Sequence, residues 1–155
     1  MINSTTLAEE LALRGTCAGT TRGVSMEPLF RTNRDVVVIE RPASELKKYD
    51  VALYRYPDGK YVLHRVIGVK EDIYLIRGDN TFVIEKIPKE WVIGVLVRFN
   101  RKGKSHSCEE RGYRAYAVIW NFLYPVRYLW HLIRTLLGRV KRCLFRKRRA
   151  EDGKQ

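Results

Sequence analysis

Short runs of β-branched and aromatic residues alternate with polar segments through the middle of the chain. The runs cover residues 35–40, 51–56, 61–69, 73–77 and 91–99. Their length and composition are typical of β-strands. Residues 57–60 read Pro-Asp-Gly-Lys, a turn signal, so we predict an antiparallel hairpin between the second and third runs. Short strands at this spacing predict a mainly β fold, either a small curved antiparallel sheet or a partly closed barrel.

Helical periodicity appears only at the two ends of the chain. Leu7, Leu11 and Leu13 predict a short amphipathic helix near the N-terminus. Near the C-terminus, large apolar residues recur at helical spacing. They are Ile119, Phe122, Leu123, Val126, Trp130, Ile133, Leu137, Val140 and Leu144. We therefore predict a C-terminal amphipathic helical extension, in which Pro125 either kinks a helix or starts one.

The order of these patterns predicts the domain organisation. A chain of 155 residues accommodates one domain with an appendage. Residues 101–110 are polar and contain glycine and serine, which is typical of a linker. We predict a short helix and lead-in over 1–20, a β domain over 21–105, and a linker, helix and basic tail over 106–155.

Positive charge is concentrated in the C-terminal part. The net charge is +13, and residues 111–149 hold 11 Lys and Arg residues and no Asp or Glu. An arginine at the bilayer centre costs about 2.5–3.5 kcal/mol, so we expect this helix to lie on a membrane surface rather than span it. The residues predicted to contact the membrane are Arg127, Trp130, Arg134, Arg139 and Arg142.

Two other interpretations of the C-terminal helix stay open. Its apolar stripe could pack on the β domain or mediate oligomerisation, and its basic residues could contact phosphates. Nucleic acid is not an expected partner, because no recognition motif accompanies the basic residues. We expect a peripheral membrane protein, with a cytoplasmic location as the alternative. We expect no cleavable signal peptide, because Glu9, Glu10 and Arg14 interrupt the N-terminal segment.

Metal sites and disulfides are not expected. The three cysteines and the three histidines are widely scattered, whereas structural zinc sites usually use closely spaced pairs. We predict no metal and no cofactor.

A serine, a histidine and an aspartate occur in segments that suggest hydrolytic chemistry. Ser25 lies in Gly-Val-Ser-Met-Glu-Pro, His64 in Leu-His-Arg-Val, and Asp79 in Gly-Asp-Asn. A serine hydroxyl becomes nucleophilic when a neighbouring base takes its proton and a third group orients that base. Gly23 and Met26 would contact the substrate, and the Ser25 N–H would stabilise the oxyanion. Each residue also has an ordinary interpretation, as a turn serine, a core histidine and a turn aspartate.

Together the three motifs resemble the type I signal peptidase superfamily. They are most similar to the branch of the endoplasmic reticulum, archaea and some spore-forming bacteria, in which histidine replaces a lysine base. The resemblance covers residues 21–99. It implies a β-rich peptidase domain in which Ser25 is the nucleophile, His64 the general base and Asp79 the group that orients or electrostatically supports it. The implied substrates are extended peptides or proteins with small residues before the cleavage site.

We therefore predict a serine endopeptidase that cleaves signal or leader segments. The alternative from another class is a non-catalytic membrane- or polyanion-binding protein on the same fold. A LexA-like self-cleaving protein is a further alternative, since residues 18–19 read Ala-Gly. Such proteins use a lysine base and an N-terminal DNA-binding domain, for which the residues before Ser25 leave no room.

Overall fold

The computed structural model describes the backbone of residues 4–152 and the side chains of residues 7–139. Within that range the strands are β1 (Thr16–Thr20), β2 (Val36–Glu40), β3 (Val51–Arg55), β4 (Tyr61–Val69), β5 (Ile73–Arg77), β6 (Glu85–Pro88), β7 (Val92–Arg101) and β8 (Lys104–Ser107). The helices are α1 (Ser4–Arg14), a 3₁₀ turn (Lys89–Trp91), α2 (Arg111–Phe122) and α3 (Tyr124–Asp152).

The described strands form one open antiparallel sheet. Its order is β1-β2-β7-β3-β4-β5-β6, with β8 paired to β7. The β3–β4 hairpin pairs Ala52 with His64 and Tyr54 with Val62. Because side chains alternate between faces along a strand, Tyr54 and His64 lie on the same face as diagonal neighbours.

Each face of the sheet carries its own apolar core. Val51 and Leu53 of β3 belong to a cluster that also contains Met26 and Phe30. Ala52 and Tyr54, the alternate residues of the same strand, belong to a second cluster. These four of the five β3 residues are at most 4% exposed, so β3 is covered on both faces. Because β3 is buried on both faces, it is a rigid support for the residues that pack beside it.

The mainly β, antiparallel prediction is confirmed. The five predicted strands appear as β2, β3, β4, β5 and β7, and the predicted hairpin joins β3 to β4. The structure adds three strands, of which β8 lies inside the stretch predicted as a linker. Pro125 is the second residue of α3, so it lies at the start of a helix. A proline in the first turn of a helix costs no backbone hydrogen bond.

The chain divides into two compact units, Met1–Asn121 and Phe122–Gln155. The first unit includes residues 111–121 of α2. Tyr113 and Ala117 of α2 are buried, and Tyr113 packs in the cluster that contains Phe30 and Phe99. The second unit consists of the end of α2 and α3.

Candidate active site

Ser25 lies in a tight loop anchored by buried side chains. The Glu27 N–H donates to the Val24 carbonyl at 3.1 Å, and the Leu29 N–H donates to the Met26 carbonyl at 3.0 Å. Met26 and Leu29 are 4% and 3% exposed. Gly23 has φ +83°, a conformation that favours glycine. The loop is therefore held by its apolar residues while Ser25 itself stays partly exposed.

A second loop, residues 78–81, holds the backbone of Ser25. The Asn80 N–H donates to the Ser25 carbonyl at 2.7 Å, and the Asn80 side-chain amide donates to the Val24 carbonyl at 3.2 Å. These two bonds join segments more than fifty residues apart in sequence. The serine motif and the Gly-Asp-Asn motif therefore form one local structure.

Gly78 lies between Ser25 and His64. A Cβ on Gly78 would be 2.6 Å from the Ser25 carbonyl oxygen and 3.1 Å from His64 Nε2. Contacts under 3.0 Å to backbone essentially never occur for a real Cβ. The Ser25 backbone and His64 Nε2 thus flank the same small volume, and only a residue without a side chain fits between them.

The other nitrogen of the His64 ring faces a carboxylate and a tyrosine. His64 Nδ1 lies 3.2 Å from Glu85 Oε1 and 3.3 Å from the Tyr54 hydroxyl. The Tyr54 hydroxyl donates to Glu85 Oε2 at 2.9 Å, and the Tyr56 hydroxyl donates to the same oxygen. Since the Tyr54 proton points to Glu85, both neighbours of Nδ1 present an acceptor to it. Nδ1 therefore carries the ring proton, and Nε2 is left unprotonated on the side of Gly78 and Ser25.

Burial keeps this imidazole neutral. His64 is 8% exposed, and desolvation lowers its pKa, although the charges of Glu85 and Asp79 act in the opposite direction. Burial and the Glu85 carboxylate also raise the pKa values of Tyr54 and Tyr56, so both hydroxyls stay protonated donors at neutral pH. A neutral histidine with a free Nε2 is the form that accepts a proton from a serine.

Asp79 makes its hydrogen bonds with other groups. Its carboxylate accepts two bonds from the Arg65 guanidinium, at 2.7 and 2.8 Å, and one from the Tyr116 hydroxyl at 3.0 Å. We predicted Asp79 to orient or electrostatically support His64. In the structure the carboxylate that faces His64 Nδ1 is that of Glu85. The charge of Asp79 acts to raise the pKa of His64, but desolvation outweighs it.

A groove of about 970 Å³ opens at this cluster. Gly23, Ser25 and Met26 line it together with His64 and Glu85. Most of the apolar lining comes from strands β1 to β4, including Cys17, Val37, Ile39, Leu53 and Leu63. All the residues predicted for substrate contact therefore border one cavity that is large enough for several residues of an extended peptide.

The Ser25 hydroxyl is not hydrogen-bonded to the histidine. Among residues 7–139, neither Ser25 Oγ nor His64 Nε2 has a hydrogen-bond partner, and no acceptor is paired with the Ser25 N–H. Nucleophile–base hydrogen bonds are often long before substrate binds. The unpaired N–H is free to serve as the oxyanion donor that the sequence predicts.

Glu85, Tyr54 and Tyr56 were missed by the sequence prediction. A signal existed for Tyr54, because the predicted hairpin and the two-residue period of a strand place it beside His64. Glu85 had no such signal. The segment around it, residues 81–88, lacks the alternation of a half-buried strand, so neither β6 nor its pairing with β5 was predicted.

The residues predicted to contact a membrane lie on α3. Trp130 is 67% exposed, Arg134 and Arg139 are exposed, and Arg127 is partly exposed. The side chain of Arg142 lies outside the described residues. In the part of the chain that the structure describes, no helix is both long and apolar enough to cross a membrane.

Among the described residues, no cluster of histidine, cysteine, aspartate or glutamate has the arrangement of a metal site.

Comparison of the chain with protein-family models gives no match, and comparison with curated proteins gives none either.

Proposed function

We propose that this protein is a serine endopeptidase in which Ser25 is the nucleophile and His64 the general base. The observation that supports this most directly is the convergence at Gly78, where the Ser25 backbone and His64 Nε2 border the same space at the edge of a groove. A buried, neutral histidine whose Nδ1 is held by a carboxylate has the chemistry that such a base requires. The resemblance of the motifs to type I signal peptidases agrees with this assignment.

The proposed reaction follows from these positions. Ser25 Oγ attacks the scissile carbonyl carbon while its proton passes to His64 Nε2. The C–N bond then breaks, and Nε2 returns the proton to the leaving amine. Water repeats the sequence with His64 as base, which releases the acid product and restores Ser25. The Ser25 N–H stabilises the oxyanion in both halves of the reaction.

The shape and lining of the groove indicate the class of substrate. The groove is lined by several strands and by apolar side chains, which suits a peptide in extended conformation. The resemblance adds the expectation of small residues before the cut. We propose leader or signal segments as substrates on that basis.

Two measurements on separate variants test the enzyme proposal. A fluorophosphonate probe should form an ester with Ser25 Oγ in the wild type, with release of fluoride, and should not label Ser25→Ala. Fluorogenic peptides with alanine before the cut should be cleaved about 10²–10⁴-fold more slowly by His64→Ala, because the general base is lost.

The matched controls are Ser44→Ala and His131→Ala, which change an exposed serine and an exposed histidine outside the groove. Both should keep wild-type labelling and cleavage. Cleavage of a panel of such peptides at equal rates by wild type and Ser25→Ala, or by wild type and His64→Ala, would contradict the proposal. Absence of both labelling and cleavage in the wild type would favour the non-catalytic alternative.

We also propose that α3 attaches the protein to an anionic membrane surface. Val126, Leu129, Trp130, Ile133 and Leu137 are each between 41% and 67% exposed and recur at helical spacing. A stripe of this kind, with arginines in the same helix, fits the boundary between headgroups and acyl chains. The absence of acidic residues over 111–149 gives the charge complementarity to anionic lipid.

Vesicle co-sedimentation tests the attachment. The full chain should bind vesicles that contain phosphatidylglycerol better than vesicles of phosphatidylcholine alone. The Arg127→Gln/Arg134→Gln variant should bind the anionic vesicles at least about tenfold more weakly, since each such charge contributes about 1 kcal/mol. Trp130→Glu should weaken binding to both vesicle types.

Leu13→Glu is the matched control, because it places a charge on an apolar side chain that is 87% exposed but lies outside α3. Equal vesicle binding by wild type and Trp130→Glu would refute the attachment. Salt-sensitive binding to duplex DNA without vesicle binding would support the polyanion-binding alternative instead.

A further inference from the structure

We propose that Glu85, held by Tyr54 and Tyr56, is the positioning residue of the active site and fixes the tautomer and orientation of His64. This proposal rests on the proposed function. It assigns the third position of the triad to a glutamate that lies outside the three motifs of the sequence.

The first support is the geometry around the carboxylate. Each oxygen of Glu85 has a defined partner: Oε1 faces His64 Nδ1 at 3.2 Å, and Oε2 accepts the hydroxyl protons of Tyr54 and Tyr56. A carboxylate fixed at both oxygens cannot rotate away from the imidazole without losing hydrogen bonds. Its side chain is only 25% exposed, which strengthens these interactions relative to water.

The second support is the arrangement of the elements. Tyr54 comes from β3, His64 from β4 and Glu85 from the first residue of β6, so three strands of one sheet fix the cluster. Ring contacts reinforce the cluster. The Tyr54 ring packs edge-on against the His64 ring, with 6.3 Å between centroids, and edge-on against the Tyr56 ring, with 5.4 Å between centroids. A site built on rigid strands holds its base more accurately than one built on loops.

The third support is that the carboxylate of Asp79, the residue predicted to orient His64, already binds another side chain. Both Asp79 oxygens accept bonds from the buried Arg65 guanidinium. Asp79 therefore acts on His64 through its charge, whereas Glu85 acts through a contact at Nδ1.

The charged and titratable groups that act on His64 come from four parts of the chain. Glu85 of β6 and Asp79 of the loop after β5 favour the imidazolium, and Lys60, just before β4, disfavours it. Tyr54 of β3 remains protonated because burial and Glu85 raise its pKa. Removal of the Glu85 charge removes an interaction that favours the imidazolium, so the pKa of His64 should fall further.

The test combines an NMR titration of the His64 imidazole with the pH dependence of peptide cleavage, both on the full chain. In Glu85→Gln, the pKa of His64 should fall and the acidic limb of kcat should move to lower pH. At the plateau, kcat should fall about 10- to 100-fold with little change in KM, because the ring loses its fixed tautomer. Glu85→Asp keeps the charge and should give values between the wild type and Glu85→Gln.

Glu71→Gln removes the same charge from an exposed turn and is the matched control, with no change expected in either measurement. A wild-type titration curve for His64 in both Glu85 variants would overturn the positioning role. If Glu85→Gln does not fold, Glu85→Asp decides the question by the same two measurements. If the titration shifts as expected but no peptide is cleaved by the wild type, the proposed function fails while the contact between Glu85 and His64 stands.

Discussion

At the scale of single residues, the site depends on one missing side chain. Gly78 lets the serine loop approach the histidine, since any Cβ there would meet the Ser25 carbonyl. Its φ is not in the left-handed region, so glycine is required here by space and not by backbone conformation. This separates the role of Gly78 from that of Gly23, whose φ of +83° is the constraint.

Gly78→Ala should therefore impair both stability and activity. The added methyl group must push the Ser25 backbone or the His64 ring aside, at a cost of about 1–3 kcal/mol in the free energy of unfolding. Displacement of a catalytic group by about 1 Å can cost about 10²-fold in rate, so kcat for peptide cleavage should fall to that extent. Urea denaturation and peptide cleavage measure the two effects.

Gly112→Ala is the control for this substitution, because a Cβ on Gly112 meets no heavy atom within 4 Å. It should keep wild-type activity and equal or slightly higher stability, as alanine favours the helix. Wild-type activity in Gly78→Ala would mean that the close approach of Ser25 and His64 has no role in cleavage.

At the scale of elements, the sequence predicted those strands whose side chains carry their own signal. The strands β2, β3, β4, β5 and β7 consist of apolar, β-branched or aromatic runs long enough to stand out. The strands β1, β6 and β8 contain glycine, lysine or serine instead of such a run, and they pair with β2, β5 and β7 respectively. Tertiary context of this kind leaves no pattern in the local sequence.

The prediction of the candidate site has the same limit, because it misses a residue whose position depends on tertiary context. Ser25, His64 and Asp79 were predicted because each lies in a recognisable motif, and the structure brings their three segments together. Glu85 was not found because its place depends on the pairing of β6 with β5, which puts Glu85 opposite Ile76. A partner supplied by an unpredicted strand cannot be read from spacing alone.

Asp79 connects the loop after β5 with β4 and α2, so its replacement should lower the stability of the fold. It binds Arg65 of β4, accepts the Tyr116 hydroxyl of α2, and its backbone carbonyl accepts the indole N–H of Trp120 at 2.9 Å. Both partners of the ion pair are buried, at 0% and 2% side-chain exposure. Asp79→Asn should lower the free energy of unfolding by about 3–5 kcal/mol in urea denaturation, because it leaves the Arg65 charge buried without its counter-ion.

Asp72→Asn, in an exposed turn, should change the free energy of unfolding by at most about 0.5 kcal/mol and is the control. Similar small effects from both substitutions would show that the Arg65–Asp79 pair does not hold these elements together. The stability measurement also separates this role from catalysis, since it needs no substrate.

At the scale of the whole molecule, the start of the basic stretch does not coincide with the boundary between the two compact units. The stretch without acidic residues begins at Arg111, whereas the first compact unit extends to Asn121. The first eleven residues of that basic stretch are thus part of the β unit. They supply the buried Tyr113 and Ala117, and Arg77 of β5 donates to Asn121 at 2.8 Å.

Two truncations should therefore behave differently. A chain of residues 1–121 keeps the contacts of Tyr113, Tyr116, Trp120 and Asn121, so it should unfold at the same urea concentration as the full chain and cleave peptide at the same rate. It should lose binding to anionic vesicles, because α3 is removed. A chain of residues 1–110 loses the burial of Tyr113 and the two hydrogen bonds from Tyr116 and Trp120 to Asp79.

The shorter chain should accordingly be destabilised by several kcal/mol, of which the lost hydrogen bond from Tyr116 to the Asp79 carboxylate contributes about 1.5–3 kcal/mol. Removal of the buried Tyr113 ring, which packs on Phe99 at 5.8 Å between centroids, adds to that loss. The comparison of urea midpoints for the three chains measures where the folding unit ends. If residues 1–110 are as stable as residues 1–121, then α2 is an appendage, and the hydrogen bonds that it makes to Asp79 do not stabilise the loop that holds Ser25.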